Sequence, residues 1–236
     1  MIQSVIPIRK KYVPKGIEIL YDDKDIIVII KSAGLLSVKN KVEKENTAQE
    51  LLTKYIRKGN RSATNEIFAV HRLDRDTTGL MIFAKSYAIR EKFAENWDEV
   101  EKKYIALIHG QLENKEGTIQ NYLAEGKEYK MHSVSDPKKG KLAITKYKVI
   151  KESKRYSLLE IDLLTGKKNQ IRVHMSELGH SIVGDSKYGK KSGAQLALHA
   201  QILKFKHPYN KKEMAFEAEI PGHISSAISD EENLMA

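Results

Sequence analysis

The stretch HRLDRDTTGL, residues 71–80, places four charged side chains and a histidine between two apolar segments, residues 67–70 and 80–85. Short apolar segments of this kind predict β-strands. The polar residues then form a loop at the edge of a sheet, where a rigid scaffold holds the carboxylate of Asp74. Arginines on both sides of Asp74 would keep that carboxylate ionised. On composition alone, an ordinary polar loop is the simpler interpretation.

Strand-like segments dominate the rest of the chain, and helices are inserted between them at irregular intervals. Helices are predicted from a capping box at Thr47 and Glu50, at residues 86–99 and at residues 170–178. Further strands are predicted at residues 17–21, 25–31, 103–109, 142–150, 157–163, 196–205 and 213–220. This arrangement predicts an α+β fold and argues against a doubly wound parallel sheet.

The length of 236 residues and the hydrophobic content of 41% predict one domain with a substantial core. We expect a basic N-terminal arm at residues 1–16, one folded domain at residues 17–223 and a flexible acidic tail at residues 224–236. No repeat or Pro/Gly-rich linker interrupts the folded part.

The positive charge of the chain is concentrated in one region. Lysine and arginine exceed aspartate and glutamate by 41 to 31, which gives a net charge of +10. Residues 127–155 contain ten basic and three acidic side chains, with tyrosines between them. Such a stretch predicts a polyanionic partner, because each neutralised phosphate releases counterions. A solvated lysine-rich face is an equally good interpretation of the charge alone.

Several classes of protein are excluded or disfavoured. The absence of cysteine excludes disulfides, thiol catalysis and thiolate zinc sites. No Walker loop or dinucleotide fingerprint is present, and the eight histidines are not spaced as metal ligands, so no metal is expected. No signal peptide and no apolar segment of membrane-spanning length occur, which predicts a soluble cytoplasmic protein without membrane contact.

The segment at residues 71–80 resembles the H-R-L-D-x-x-T-S-G-L signature of RluA-type pseudouridine synthases. Residues 25–35, DIIVIIKSAGL, resemble the strand and K-P-A-G-L segment of that family, and residues 103–107 match its K-x-Y-x-A strand. GKKNQIRVH, residues 166–174, resembles G-R-T-H-Q-I-R-V-H. Shorter matches follow in family order at residues 179–180, 184–185, 188–189, 198–200 and 207–208. The resemblance spans residues 17–221.

The resemblance implies a large mixed, mainly antiparallel sheet flanked by helices and loops, with residues 17–223 as the catalytic domain. It is closest to compact members without a separate N-terminal RNA-binding module. Ser32 replaces the usual proline, and Thr78 replaces a serine while keeping the hydroxyl. Residues 167–169, Lys-Lys-Asn, replace Arg-Thr-His, which removes a guanidinium that could bind phosphate in bidentate fashion.

The resemblance also implies the catalytic residues. Asp74 matches the catalytic aspartate, which acts as a nucleophile or assists a glycal route. Arg172 matches the arginine that pairs with this aspartate, and Tyr104 matches the tyrosine that lies against the target base. Asp76 is the rival carboxylate, which we interpret as a hydrogen-bonding loop residue. The family uses neither cofactor nor metal.

The RNA contacts implied by the resemblance come from two segments. Arg72 matches a residue that enters the RNA stack when the uridine flips out, and His71 is assigned to RNA contact rather than to catalysis. Lys167, Asn169 and Gln170 are expected to contact the RNA backbone or to shape the pocket. The expected partner is structured RNA, ribosomal or transfer RNA, and the enzyme is expected to be a monomer without an obligate protein partner.

Two other classes of function stay open. The first is a catalytically idle RNA-binding or ribosome-assembly factor on the same scaffold, which an intact Asp74, Tyr104 and Arg172 argue against. The second is a hydrolase that uses Asp74 and Asp76 as paired carboxylates and releases free uracil or nucleotide.

Overall fold

The computed structural model describes residues 13–58, 60 and 62–233. Most of the predicted N-terminal arm, residues 1–12, lies outside the described residues. The chain divides into two compact units. The first contains the residues up to 100 and residues 202–218, and the second contains residues 101–201 and those from 219 onward. The segment predicted as one domain therefore contributes to both units.

Strands predominate in the described residues, as the α+β prediction requires. In chain order the elements are β1 Ile17–Asp22, β2 Ile26–Lys31, α1 Ala48–Ile56, β3 Phe68–Ala69, β4 Thr78–Ala84, α2 Tyr87–Glu95, β5 Glu101–His109, β6 Glu116–Glu125, β7 Met131–Val134, β8 Lys141–Glu152, β9 Tyr156–Leu163, α3 Gln170–Glu177, β10 Leu198–Lys206, β11 Glu213–Glu217 and α4 Gly222–Asn233. None of these helices is long and apolar enough to span a membrane.

The first unit is built on a nearly continuous apolar sheet. β2 pairs antiparallel with β1 on one side and with β4 on the other, and β3 pairs with β4. All seven residues of β4 are buried, which explains why this segment is apolar throughout instead of alternating. The hydroxyl of Thr47 accepts the backbone N–H of Glu50 and caps α1, and Ser86 caps α2 in the same way. These contacts confirm both predicted helix starts.

The second unit is built on an antiparallel sheet against which α3 packs. β5 pairs with β9, β9 with β8, β8 with β6, and β6 with β7. Tyr104, Ile161 and Tyr147 lie side by side across three strands, and all three side chains are buried. Their burial sets the register of these three strands, because a shift of one residue would turn this row to the opposite face.

The structure differs from the sequence prediction in two places. β6 and β7 were not predicted, because β6 alternates between exposed and half-buried residues, most of them polar, and its pairing with β8 is long-range. The predicted flexible tail is helical from Gly222 to Asn233, so the prediction of a flexible tail was wrong over residues 224–233. Ile224 and Ile228 lie four residues apart and are buried, and this apolar face stabilises α4.

Candidate active site

Asp74 lies in the first unit, in the loop between β3 and β4, and its side chain is partly buried. Both backbone polar groups of the preceding residue, Leu73, form hydrogen bonds with one hydroxyl, that of Ser37. Ser37 Oγ donates to Leu73 O at 2.7 Å and accepts from Leu73 N at 3.0 Å. The backbone before Asp74 is therefore fixed, whereas the flanking side chains of Arg72 and Arg75 are exposed.

A buried lysine, Lys31, supports this loop from the core. It lies at the end of β2 and is 0% exposed. Its ammonium donates to the carbonyl oxygens of Ser32, Leu35 and Arg75 at 2.8–2.9 Å. Burial lowers the pKa of Lys31 to about 8, an effect partly offset by the negative charges of Asp76 and Asp74. Lys31 is therefore mainly protonated at neutral pH and places a positive charge behind the carboxylates.

The two residues before Leu73 have different environments. His71 is half-buried: its Nε2 accepts the backbone N–H of Ile82 at 3.1 Å, and its ring centroid lies 5.1 Å from that of Trp97. Because these contacts fix the imidazole within the first unit, they support the loop. Arg72 is exposed, as a residue that enters an RNA stack must be. The RNA contacts expected of both residues stay predictions.

Arg172 and Tyr104 both lie in the second unit. Tyr104 is a buried residue of β5, and Arg172 lies in the first half of α3. The guanidinium of Arg172 forms a bidentate pair with Asp185, with Nε to Oδ2 and Nη2 to Oδ1 both at 2.8 Å. The expected pairing of Arg172 with Asp74 stays a prediction. Asp185 belongs to the Gly-Asp match at residues 184–185, but sequence reasoning gave it no role.

Asp185 is held ionised in a buried position. Burial alone would raise its pKa, but the hydrogen bond and charge of Arg172 and the backbone N–H groups of Tyr188 and Lys187 bring the pKa below its ordinary value. Both backbone groups donate to Oδ1 at 2.9 Å. The carboxylate therefore fixes the orientation of the Arg172 guanidinium and ties α3 to the loop that follows it.

A chain of buried polar groups anchors α3 against β8 and β6. Gln170 Nε2 donates to Thr145 Oγ1 at 2.9 Å, so the Thr145 hydroxyl is left to donate to His174 Nδ1 at 2.8 Å. His174 Nε2 then donates to Asn121 Oδ1 at 2.9 Å. Burial lowers the pKa of His174 to about 4, so the imidazole is neutral at pH 7. The network fixes the position of the helix that carries Arg172.

The three residues expected to meet RNA near α3 have different environments. Gln170 is buried, and its amide oxygen accepts from Thr165 Oγ1 and Lys167 N, which fits the role of shaping the pocket. Asn169 has a left-handed backbone with φ of 52°, and its amide oxygen accepts from the hydroxyl of Tyr188. Lys167 is half-buried. Their contacts with RNA stay predictions.

The basic segment at residues 127–155 is only partly available to a polyanion. In β8, Lys146 lies opposite Asp162 of β9, and Lys148 lies opposite Glu160. Lys103 donates to Glu160 at 2.8 Å and lies 3.6 Å from Asp162. Opposite charges in neighbouring strands compensate each other, so Lys146 and Lys148 contribute less to an attraction for a polyanion than the lysines in the turns of this segment.

One group of possible metal ligands occurs among the described residues. Asp23, Asp25 and His207 lie together in the first unit, with ligand atoms within 4.8 Å of one another. His207 Nδ1 accepts the backbone N–H groups of Tyr209 and Asn210, so Nε2 carries the proton that bridges to Asp23 Oδ2 at 3.0 Å. This imidazole links the β1–β2 turn to the loop after β10, and that use leaves it poorly suited to bind a cation.

Comparisons with known proteins agree with the resemblance found in the sequence. The family model described as RNA pseudouridylate synthase matches residues 25–177. Ribosomal large subunit pseudouridine synthase D of Zymomonas mobilis is 34% identical over 225 residues, which cover 87% of this chain and 69% of that protein. The tRNA pseudouridine synthase C of Haemophilus ducreyi is 32% identical over 226 residues, covering 86% of this chain and 90% of that protein.

A solved structure supports the fold independently. Human RNA pseudouridylate synthase domain containing 4 superposes with a TM-score of 0.72 at 24% identity, covering 89% of this chain and 91% of that chain. The matched region 25–177 contains Asp74, Tyr104 and Arg172 together. The expected fold class is therefore confirmed, and the chain belongs to the RNA pseudouridylate synthase family, a family of isomerases.

Proposed function

We propose that Asp74 is the catalytic carboxylate and that the protein converts specific uridines of structured RNA into pseudouridine. The single observation that carries this role is the placement of Asp74 on a loop fixed by Ser37 and supported by the buried cation of Lys31. A carboxylate that reacts at or near the anomeric carbon must be ionised and held in one position. The buried ammonium of Lys31 places a positive charge behind the loop, and the contacts of Ser37 with the backbone of Leu73 fix the position.

The reaction needs two further groups besides the carboxylate. The bond from C1′ to uracil N1 breaks, a bond from C1′ to C5 forms, the proton on C5 leaves and N1 takes up a proton, so the RNA keeps its mass. Tyr104 is proposed to lie against the detached base and to hold it while it turns. Arg172, oriented by Asp185, is proposed to bind the ionised Asp74 and to fix its direction.

We propose ribosomal or transfer RNA as the substrate, because similar proteins are named for each of these RNAs. The target uridine is proposed to leave its helix before reaction, since a nucleotide stacked in a helix cannot present its ribose C1′ and its uracil C5 to the protein. Arg72 is proposed to fill the space that the base leaves, and His71, Lys167, Asn169 and Gln170 to shape or contact the RNA around it. The protein is proposed to act in the cytoplasm as a monomer. Light scattering in solution would test the oligomeric state.

Tritium release from RNA that carries 5-tritiated uridine tests the reaction directly. Wild type, Asp74→Asn and Asp76→Asn are compared on unmodified ribosomal RNA and transfer RNA separately. Asp76 is the matched control because it is an exposed carboxylate two residues away on the same loop. We expect release by the wild type and by Asp76→Asn, and none by Asp74→Asn.

The other outcomes separate the competing functions. Release by Asp74→Asn at the wild-type rate would remove Asp74 from the chemistry. Binding of both RNAs without release by the wild type would indicate an idle RNA-binding factor. Free uracil or nucleotide in the supernatant, with a loss of RNA mass, would indicate a hydrolase.

A further inference from the structure

The turn between β6 and β7, residues 126–130, contains two consecutive residues in the left-handed region. Glu128 has a φ of 57° and Tyr129 has a φ of 55°. A bulky aromatic residue rarely adopts a positive φ, because its Cβ crowds the backbone. Two consecutive positive φ values are also the geometry of the tight turns that join antiparallel strands, and Lys130 N donates to Lys127 O across this turn at 3.2 Å.

Contacts from both sides impose this conformation. Within the turn, Gly126 N donates to Lys130 O at 2.8 Å. From the loop after α3, the ammonium of Lys187 donates to the carbonyl oxygen of Tyr129 at 2.9 Å and to Asn169 Oδ1 at 3.3 Å. One lysine therefore ties the backbone of Tyr129 to the residue that precedes α3, the helix of Arg172.

The backbone of Tyr129 is bound to the rest of the second unit through Lys187, whereas its ring lies in solvent. The residue is 73% exposed, the highest exposure among the tyrosines of the described residues. The hairpin turn therefore presents an aromatic ring to solvent in a fixed position, where a partner can use it.

One ammonium lies near this ring, two lysines and the acidic Glu128 neighbour it in the turn, and the Lys130 ammonium lies 5.3 Å from the ring centroid of Tyr188. The Lys168 ammonium lies 5.5 Å from the ring centroid of Tyr129 and also pairs with Glu125. Lys127 and Lys130 flank the tyrosine in the turn, and both are exposed. An exposed aromatic ring among cations is the arrangement that binds unpaired nucleotides, since the ring stacks on a base and the cations face its phosphates.

We propose that Tyr129 is a stacking platform for an unpaired base of the substrate RNA, with Lys127 and Lys130 facing the neighbouring phosphates. This inference rests on the proposed function for the identity of the RNA and adds a contact outside the residues matched to the family signatures. The stacked base differs from the uridine that reacts, because Tyr104 is the residue proposed to hold that uracil. Tyr129 thus contributes to RNA affinity and not to the chemical step.

Tyr209 provides a matched control within the chain. It is 60% exposed and has two lysines near its ring, Lys24 at 4.0 Å and Lys92 at 5.7 Å from the centroid. Its φ is not positive, and the close ammonium of Lys24 occupies one face of the ring. A general effect of removing an exposed tyrosine near lysines would therefore appear equally in Tyr209→Ala.

The test measures RNA binding and turnover separately. Tyr129→Ala, Tyr129→Phe and Tyr209→Ala are each combined with Asp74→Asn, and their binding to unmodified ribosomal and transfer RNA transcripts is titrated. We expect Tyr129→Ala to raise the Kd by about 5- to 150-fold, the range for the loss of one stacked base, and the other two variants to change it by less than about twofold. With Asp74 intact, Tyr129→Ala should raise KM and leave kcat unchanged.

A second measurement reports on the ring itself. Tyr129→Trp adds one indole to a chain with a single tryptophan, and stacking of a base on that indole should quench its fluorescence when a transcript binds. The inference would be overturned if Tyr129→Ala bound RNA with wild-type affinity or if Tyr129→Phe lost as much affinity as Tyr129→Ala. It would also be overturned if RNA binding left the fluorescence of the Tyr129→Trp indole unquenched. Failure of the proposed function would appear differently, as Tyr129-dependent RNA binding without tritium release by the wild type.

Discussion

Arg172 and Asp185 are joined by two parallel hydrogen bonds of 2.8 Å, and their side chains are only 8% and 0% exposed. Asp185 also accepts two backbone N–H groups, so its carboxylate belongs to the scaffold. The arginine is thus oriented before any RNA binds. Pre-organisation of this kind lowers the cost of fixing a side chain during the reaction.

Arg172→Ala should abolish tritium release while it changes the Kd for RNA by less than about tenfold, because this buried arginine is proposed to bind Asp74 and not the RNA. The same change leaves Asp185 buried without its cation, which should cost about 3–5 kcal/mol of unfolding free energy. Arg172→Lys keeps the positive charge but loses the planar guanidinium that forms two parallel hydrogen bonds. Urea unfolding and RNA titration of both variants separate stability from catalysis, and normal turnover by Arg172→Ala would refute the assignment.

The stability of the protein should depend on Lys31 above pH 8. The pKa of Lys31 is about 8 in the folded protein, below its ordinary value of 10.5. Between these values the unfolded chain binds more protons, so titration of Lys31 makes unfolding harder as the pH rises. The gain is about 3 kcal/mol at most, and Lys31→Met should lack it. Urea unfolding of both proteins from pH 7 to 10.5 measures the difference, and parallel pH profiles would contradict the prediction.

Titration of His174 should make the stability of the protein depend on pH in acid solution. Its pKa is lowered from 6.5 to about 4, so the folded protein keeps the imidazole neutral where the unfolded chain protonates it. Stability should therefore fall by about 3 kcal/mol at most as the pH decreases from 6.5 to 4. His174→Gln removes this titration, while His199, whose pKa is lowered to a similar value, continues to titrate. An unchanged acid slope in the variant would show that His174 does not titrate in this range.

Gly184→Ala should be among the most destabilising glycine changes in the second unit. Gly184 has a φ of +75°, and an added Cβ would lie 2.6 Å from the carbonyl carbon of Gln195. Gly179 is the control, since its φ is +87° but nothing lies within 4 Å of its added Cβ. We expect a loss of about 1–2 kcal/mol for Gly179→Ala from backbone strain alone, and clearly more for Gly184→Ala. Equal thermal unfolding temperatures would contradict this.

The sequence was most informative where one local pattern determines the structure. β2 and β4 are buried apolar segments, and α1 and α2 each begin directly after the residue that caps them. β6 was missed because its residues are mostly polar and because it is paired with β8, which begins sixteen residues after β6 ends. α4 was missed because two buried isoleucines are a short apolar signal within a polar segment.

The residues of the candidate site were likewise predicted where a local motif contains them and missed where their role depends on long-range contacts. The motif resemblance identified Asp74, Tyr104 and Arg172, but it gave no role to Lys31 or Asp185. The importance of Lys31 depends on its complete burial, which a lysine at the end of an apolar strand does not reveal. The pairing of Asp185 with Arg172 joins residues 13 positions apart across a helix end, and no local periodicity indicates such a contact.

The strand β10 has a consequence for the synthesis of the protein. Its residues up to Gln201 belong to the second unit, and those from Ile202 belong to the first. The first hundred residues therefore leave the ribosome without Phe205 and Phe216, which complete their apolar core. At about 5–20 residues per second, translation of residues 101–201 takes about 5–20 s. For that interval the nascent first unit presents unsatisfied apolar surface, and the chaperones that bind emerging chains have a defined period in which to act.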